Sequence, residues 1–167
     1  MQEHLIVDGN NALHAIPDIS KELNKDRNLA RDSLLRFLAP FQSNENCLLT
    51  VVFDGRGGKG RLYQYEGIKN YTVIYSSSVQ GADGVIEKML IASKFPERIS
   101  VATNDGLIRN CAFQTGASTI RIEELLKKLD GAIHRTKIRL NQQKTNHQEG
   151  PLQNRLDIPD INKDKED

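Results

Sequence analysis

Three apolar runs of strand length each lead into an aspartate with a glycine directly after it. Leu5, Ile6 and Val7 run into Asp8 and Gly9. LLTVVF, residues 48–53, runs into Asp54 and Gly55. ISVAT, residues 99–103, runs into Asn104, Asp105 and Gly106. The first run is too short to be a buried helix. The second is apolar throughout apart from Thr50, the pattern of a strand covered on both faces of a parallel sheet. In an open parallel sheet the carboxyl ends of the strands line the crevice where ligands bind. A chain built this way is expected to bring its three acids together.

The intervening segments fit that scheme. Strands are expected at about 4–8, 48–53, 71–75, 99–103 and 118–122. Ala30, Leu34, Phe37, Leu38 and Phe41 form one apolar stripe of a helix over about 27–42, with Asp26 as its N-cap. Val85, Ile86, Met89 and Leu90 give a buried stripe over about 83–94, where Asp83 and Glu87 share a face at i, i+4. A helix over 106–115 ends at Gly116, and another begins at Glu123, with Gly131 as a point of interruption. Residues 18–25 read as a polar connector, and GRGGKGRLYQYEG, residues 55–67, as a mobile basic stretch. Strands alternating with helices predict an α/β fold, a doubly wound parallel sheet with right-handed crossovers.

A length of 167 residues suits one domain with one core. From about residue 141 the chain turns polar and then charged, and a disordered tail over 141–167 is expected behind a domain of residues 1–140. Net charge is +1, so affinity for a polyanion must come from local patches. Cys47 and Cys111 form no CxxC or Cys/His group, which argues against disulfides and zinc and for a reducing compartment. No signal peptide or membrane-length apolar stretch is present, so a soluble cytoplasmic protein is expected, with no membrane partner and no sign of a homo-oligomer.

If Asp8, Asp54, Asp83 and Asp105 converge, with Glu87 as a fifth acid, they repel. Two carboxylates about 4 Å apart cost roughly 4 kcal/mol at an effective dielectric near 20. Protonation or a cation must relieve this, and hard oxygen ligands without Cys or His favour Mg²⁺ or Mn²⁺. A divalent ion inverts the sign of such a crevice, so that it can hold a phosphodiester and activate water. The plainer alternative is that Asp-Gly pairs are turns, in which Asp caps and Gly takes positive φ, with Asp83 as an N-cap. Arg56, Lys59 and Arg61 form a basic lip able to touch a nucleic-acid backbone. This lip is not a P-loop, because Lys59 is followed by Gly60 and a strand-like LYQY. Tyr63 and Tyr65 are either base-stacking or half-buried ribbon residues. Lys127, Lys128, Arg135, Lys137 and Arg139 are either a solvated helix face or a phosphate track beside the crevice. His14 and His134 have no partner that suggests catalysis.

The motifs IVDGNNALH, VVFDGRGG, SSSVQGADGVIEKML and ISVATNDGLIRNCAFQTGA, in that order, resemble those of the NYN domain. More closely, they resemble the YacP-like branch of the PIN-like ribonucleases, over about residues 4–130. The resemblance implies a single three-layer PIN-like domain with strand order 3-2-1-4-5 and an acidic Mg²⁺ or Mn²⁺ site. The implied activity is endonucleolytic hydrolysis of single-stranded RNA, with messenger RNA at the ribosome as the implied setting. By matching position, Asp8, Asp83 and Asp105 fall on the motif acids and Asn10 on the polar residue beside the first. Asp54 falls on the FDG of the branch, and Asn104 stands where the branch often has Ser. Asp8, Asp83 and Asp105 are thus the candidate catalytic and metal-holding residues. Asn10, Asp54, Glu87 and Asn104 are candidate supports, and Arg56, Lys59, Arg61, Lys128 and Arg135 candidate RNA contacts.

The alternative is a non-catalytic RNA- or ribosome-binding module of the same fold. A receiver-type phosphoacceptor fits poorly, because Asp8 stands alone before Gly9 and the fifth strand leads to Arg121 and Glu123 rather than to a lysine. A DxD-type phosphatase fits poorly too, since Asp54 is followed by Gly55 and Arg56.

Overall fold

The structure, a computed structural model, describes residues 2–148, with side chains described as far as residue 143. Strands β1 (His4–Asp8), β2 (Leu48–Phe53), β3 (Arg61–Gln64), β4 (Tyr71–Tyr75), β5 (Ile99–Ala102) and β6 (Ser118–Ile120) form one sheet in the order β3-β4-β2-β1-β5-β6. The five expected strands are β1, β2, β4, β5 and β6, in the expected order and all parallel. The sixth, β3, pairs antiparallel with β4 and makes the sheet mixed. Its four residues are all exposed, as an edge ribbon must be when no layer covers it.

The helices are α1 (Gly9–Ala15), α2 (Pro17–Leu23), α3 (Arg27–Glu45), α4 (Gly81–Ala92), α5 (Gly106–Thr115) and α6 (Ile122–Gln148). Alternate residues of the strands feed opposite layers. Leu5, Val7, Leu49, Val51 and Phe53 pack with α1, α2, α3 and α6. Ile6, Val52, Ile99 and Val101 pack with α4 and α5. Each fully buried aliphatic side chain contributes about 1.5–3 kcal/mol by leaving water. The middle strands are therefore the most firmly held part of the sheet, and they carry the acids at their ends.

Several local expectations change. The polar connector at 18–25 is largely the helix α2, started by Pro17 at a first-turn position and held down by buried Ile19 and half-buried Leu23. The helix α3 runs three residues past 42, with exposed Pro40 inside it, and stops at Asn46 in the left-handed region at φ 48°. The expected interruption at Gly131 is absent, and α6 continues to Gln148, past the expected boundary near 140. The rest of the expected tail, 149–167, lies outside the described residues. The chain divides into units Met1–Arg135 and Thr136–Asp167, and the described part of the second is helical. Among the described residues no helix is long and apolar enough to cross a membrane.

Candidate active site

Asp8 ends β1 and is 4% exposed. Its Oδ1 accepts from the Asn11 amide at 3.2 Å, which makes it the N-cap of α1. Its Oδ2 accepts from the hydroxyl of Thr103, just past β5, at 2.9 Å. The same Thr103 hydroxyl accepts from the Asp105 amide at 3.0 Å. Asp105 in turn caps α5, its Oδ1 accepting from the Leu107 and Ile108 amides at 2.7 and 3.3 Å. A second bridge runs alongside, with the Asn104 amide donating to Asn11 Oδ1 at 2.8 Å. The ends of β1 and β5 are thus tied by two side chains, and Asp8 and Asp105 are fixed on either side of Thr103.

Asp54 sits past β2 and joins two further elements. The Asn10 side-chain amide donates to its Oδ2, and the Asp54 amide donates back to Asn10 Oδ1 at 3.4 Å. Its Oδ1 accepts from the Ala82 amide in the first turn of α4 at 2.7 Å. Asp54 therefore does the capping that the sequence assigned to Asp83. The residue before α4 is Gln80, which makes no side-chain cap. Asp83 lies inside the first turn, exposed, with no hydrogen bond to its carboxylate among the described residues. Glu87 follows one turn later on the same exposed face.

The turn reading of the glycines is corrected. None of Gly9, Gly55 and Gly106 takes positive φ. Gly9 is needed for space, since a Cβ there would lie 2.5 Å from the Phe53 ring and 2.7 Å from the Val52 carbonyl oxygen. Gly55 is tighter, with the Ser76 carbonyl oxygen 2.0 Å from where its Cβ would be. Gly106 has open space around it.

The acids feel one another. Burial, and then the fields of Asp83 and Asp105, push the Asp8 carboxyl up, against hydrogen bonds from Asn11 and Thr103 that favour the anion. Asp83 is also pushed up, by partial burial and then by Asp105, Asp54 and Glu87. Among the described residues no three His, Cys, Asp or Glu side chains stand close enough to hold an ion unaided. The donor chemistry nonetheless fits a hard cation. Among the described residues, both Asp83 oxygens and Asp105 Oδ2 have no hydrogen bond, each Asp8 oxygen keeps a lone pair, and water completes most Mg²⁺ shells.

The basic candidates separate into two places. Arg56, Lys59 and Arg61 line a recess of about 310 Å³ directly behind Asp54. The loop carrying them is tied down, with Gly55 N–H donating to the Ser76 hydroxyl at 3.3 Å and Ser78 N–H to the Gly57 carbonyl at 2.9 Å. Lys128 and Arg135 are not beside the crevice. Lys128 lines a recess with Glu3, His4 and Cys47, at the amino ends of the strands, and Arg135 pairs with Glu45 at 3.0 Å. α6 starts at the crevice, where Ile122 N–H donates to Asn104 Oδ1 at 3.0 Å, and runs back along the strands at about 1.5 Å per residue. Asn104 also donates to Glu123 at 3.0 Å, so its side chain serves α6 rather than the crevice. A larger recess of about 410 Å³ between β4 and α4 is lined by Leu62, Ile74, Val85 and Met89 and contains none of the acids.

The chain has relatives in sequence and in fold. A family model of the YacP-like NYN domain matches residues 5–165. The chain belongs to the YacP-like NYN family. YacP of Bacillus subtilis (strain 168) is 32% identical over 127 residues, covering 75% of this chain and 74% of that one. Two crystal structures of Rae1 (YacP) from Bacillus subtilis match with TM-scores of 0.72 and 0.71 at 28% identity, one of them of a point mutant. They cover 87% and 86% of this chain and 84% of each of those. The fold of this YacP-like chain is that of the PIN-like nucleases.

Three residues of this YacP-like site escaped the sequence reading. Thr103 is fully buried at the end of β5, and a hydroxyl there needs a partner. Asn11 stands next to Asn10, and only the fold shows that it faces the other way, towards Asn104. Arg31 falls on an apolar stripe with Leu35 and Leu38, and a lone cation among buried leucines was the signal available. Tyr63 and Tyr65 are half accounted for by the protein itself. Tyr63 stacks on Tyr75 at 6.3 Å, its hydroxyl pushed up to about 12 by burial, and Tyr65 tilts against Tyr71 at 4.8 Å.

Proposed function

We propose that this chain is a divalent-metal-dependent endoribonuclease that hydrolyses single-stranded RNA. The reading is carried by the mutual repulsion of Asp8, Asp83 and Asp105, brought from three elements to the carboxyl end of one sheet. Those three acids would hold Mg²⁺ or Mn²⁺. A bound ion would neutralise the crevice, polarise a phosphodiester oxygen and lower the pKa of water. Thr103 keeps Asp8 and Asp105 in register with each other. Asn10 and Asp54 hold the start of α4, and so the position of Asp83. Arg56, Lys59 and Arg61 meet the strand's phosphates. Kinship with the YacP-like NYN family supports RNA as the substrate class, and on that kinship we place the substrate as messenger RNA in a cytoplasmic, ribosomal setting.

The test is cleavage of a labelled single-stranded RNA, or of a translated messenger, with Mn²⁺ and with EDTA. Asp8→Asn, Asp83→Asn and Asp105→Asn should each lose at least about 100-fold, the scale of one preorganised electrostatic partner. Unchanged cleavage by a folded Asp8→Asn protein would sink the reading.

A second reading, a non-catalytic RNA- or ribosome-binding module, is favoured by one observation. Asp8, Asp54 and Asp105 each accept a backbone amide at a helix start, a structural role that needs no cation. Retained RNA binding without cleavage under every metal condition would select it.

A further inference from the structure

Arg31 rises from the first turns of α3 into the recess behind Asp54 and is only 9% exposed. Its guanidinium lies over Tyr75 at 5.1 Å and Phe53 at 5.5 Å. One nitrogen, Nη2, donates to the Asp54 carbonyl at 2.9 Å. Its Nε is buried and has no hydrogen-bond partner among the described residues. No carboxylate within salt-bridge distance accompanies it among the described residues, and Asp54, the nearest acid in the recess, has both carboxylate oxygens committed to Asn10 and Ala82. A buried cation with an unmet donor is costly unless an anion joins it.

The rest of the recess supplies the same sign of charge. Arg56, Lys59 and Arg61 line it, and Arg61 lies over the Tyr75 ring at 5.2 Å. Tyr75 thus carries two guanidiniums, Arg31 and Arg61, and fixes both. Gly57 and Gly55 bring backbone to the wall without side chains. Planar guanidiniums held in place present forked donors that match the oxygens of a phosphate. The volume, about 310 Å³, is ample for one phosphate group with its ester substituents and water.

We propose that this recess is a phosphate-binding site, with Arg31 as its buried floor and Arg61 as its rim, taking a phosphate of the RNA strand next to the acidic crevice. The proposal rests on the nucleic-acid reading above for the identity of the ligand, but not for the chemistry of the site. The phosphate can be an internal phosphodiester or a terminal monoester. Like charge on four cations is relieved when it binds, and Asp54 joins the two sites, since its carbonyl holds Arg31 while its carboxylate holds α4.

The experiment uses the full chain in EDTA, so that cleavage plays no part. A fluorescent single-stranded RNA of about twelve nucleotides, with a 5′-hydroxyl or a 5′-phosphate, is titrated by anisotropy over a salt series. The wild type, Arg31→Lys and Arg61→Gln proteins are compared, and circular dichroism confirms the fold of each. Arg61→Gln should weaken binding by about 3- to 10-fold and reduce the salt slope by roughly one phosphate contact. Arg31→Lys, which keeps the charge but not the fork, should weaken binding by a similar factor. A terminal monoester is indicated if only the 5′-phosphorylated RNA distinguishes the variants, an internal phosphodiester if both RNAs do. In parallel, inorganic phosphate is titrated while the Nε–H resonance of Arg31 is followed by NMR. A phosphate-induced shift without any RNA binding would keep the site and remove the nucleic-acid reading. Wild-type affinity and salt slope in both arginine variants, or an Arg31 resonance that neither probe moves, would overturn the proposal.

Discussion

The Thr103 hydroxyl donates to Asp8 Oδ2 at 2.9 Å across 95 residues of sequence. It also accepts from the Asp105 amide, so one buried oxygen sets the separation of two acids. Thr103→Val keeps the shape and removes that oxygen. The Asp105 N–H and one face of the Asp8 carboxylate are then left without a partner. A loss of about 1–3 kcal/mol is expected in urea unfolding, and Thr103→Ser should restore most of it. Cleavage should fall with Thr103→Val by more than the small unfolded fraction explains.

Gly55 and Gly106 both follow an acid at a strand end, yet they should respond oppositely to alanine. At Gly55 the new methyl meets the Ser76 carbonyl oxygen at 2.0 Å, and backbone cannot step aside cheaply. Gly55→Ala should cost about 1–3 kcal/mol or more. Gly106 opens α5 with space around it, so Gly106→Ala should be neutral or stabilising by up to about 1 kcal/mol. Thermal midpoints of the two variants decide this directly.

Asp8 and Asp83 hold their protons more tightly in the folded chain than in the unfolded one. The folded state therefore binds the extra protons, and their contribution to stability is fully present below the ordinary value of 3.8. It is lost as pH rises through the raised folded values. In EDTA, wild type should lose stability relative to an Asp8→Asn, Asp83→Asn double variant as pH is raised from 3.8 upward. Urea midpoints that run parallel over that range would show that the two acids are uncoupled from folding.

Asp54→Ala removes the acceptor for the Ala82 amide and the partner of Asn10. It should cost about 1 kcal/mol, the usual worth of a helix cap, whereas Asp83→Ala should cost nothing measurable without cations. Differential scanning calorimetry of the two proteins in EDTA separates the roles, and an equal loss in both would refute the division between them.

Three strands of the sheet were legible because they are largely apolar and lead into glycine-bounded acids, a local signal. Even the strand order followed, from the motifs. The edge strand β3 was harder to read, since Arg61–Gln64 is exposed on every residue and its pairing depends on β4. Within the site, the acids could be listed from sequence, but not which carboxylate caps which helix. Asp54 caps α4 across 28 residues, leaving Asp83 free, and no spacing rule foretells that. The placing of Lys128 and Arg135 failed for a related reason. Charge clusters on a helix are visible in sequence, while the direction in which the helix leaves the crevice is not.

Asp8, Asp54 and Asp105 hold helix starts through an oxygen that asparagine also possesses. Asparagine caps about as well as aspartate. The two residues differ by a single base in their codons. At Asp105, whose other oxygen makes no hydrogen bond among the described residues, a lineage carrying this fold can therefore silence its chemistry in one mutational step at little cost to the scaffold, and descendants that only bind are within easy evolutionary reach of those that cut.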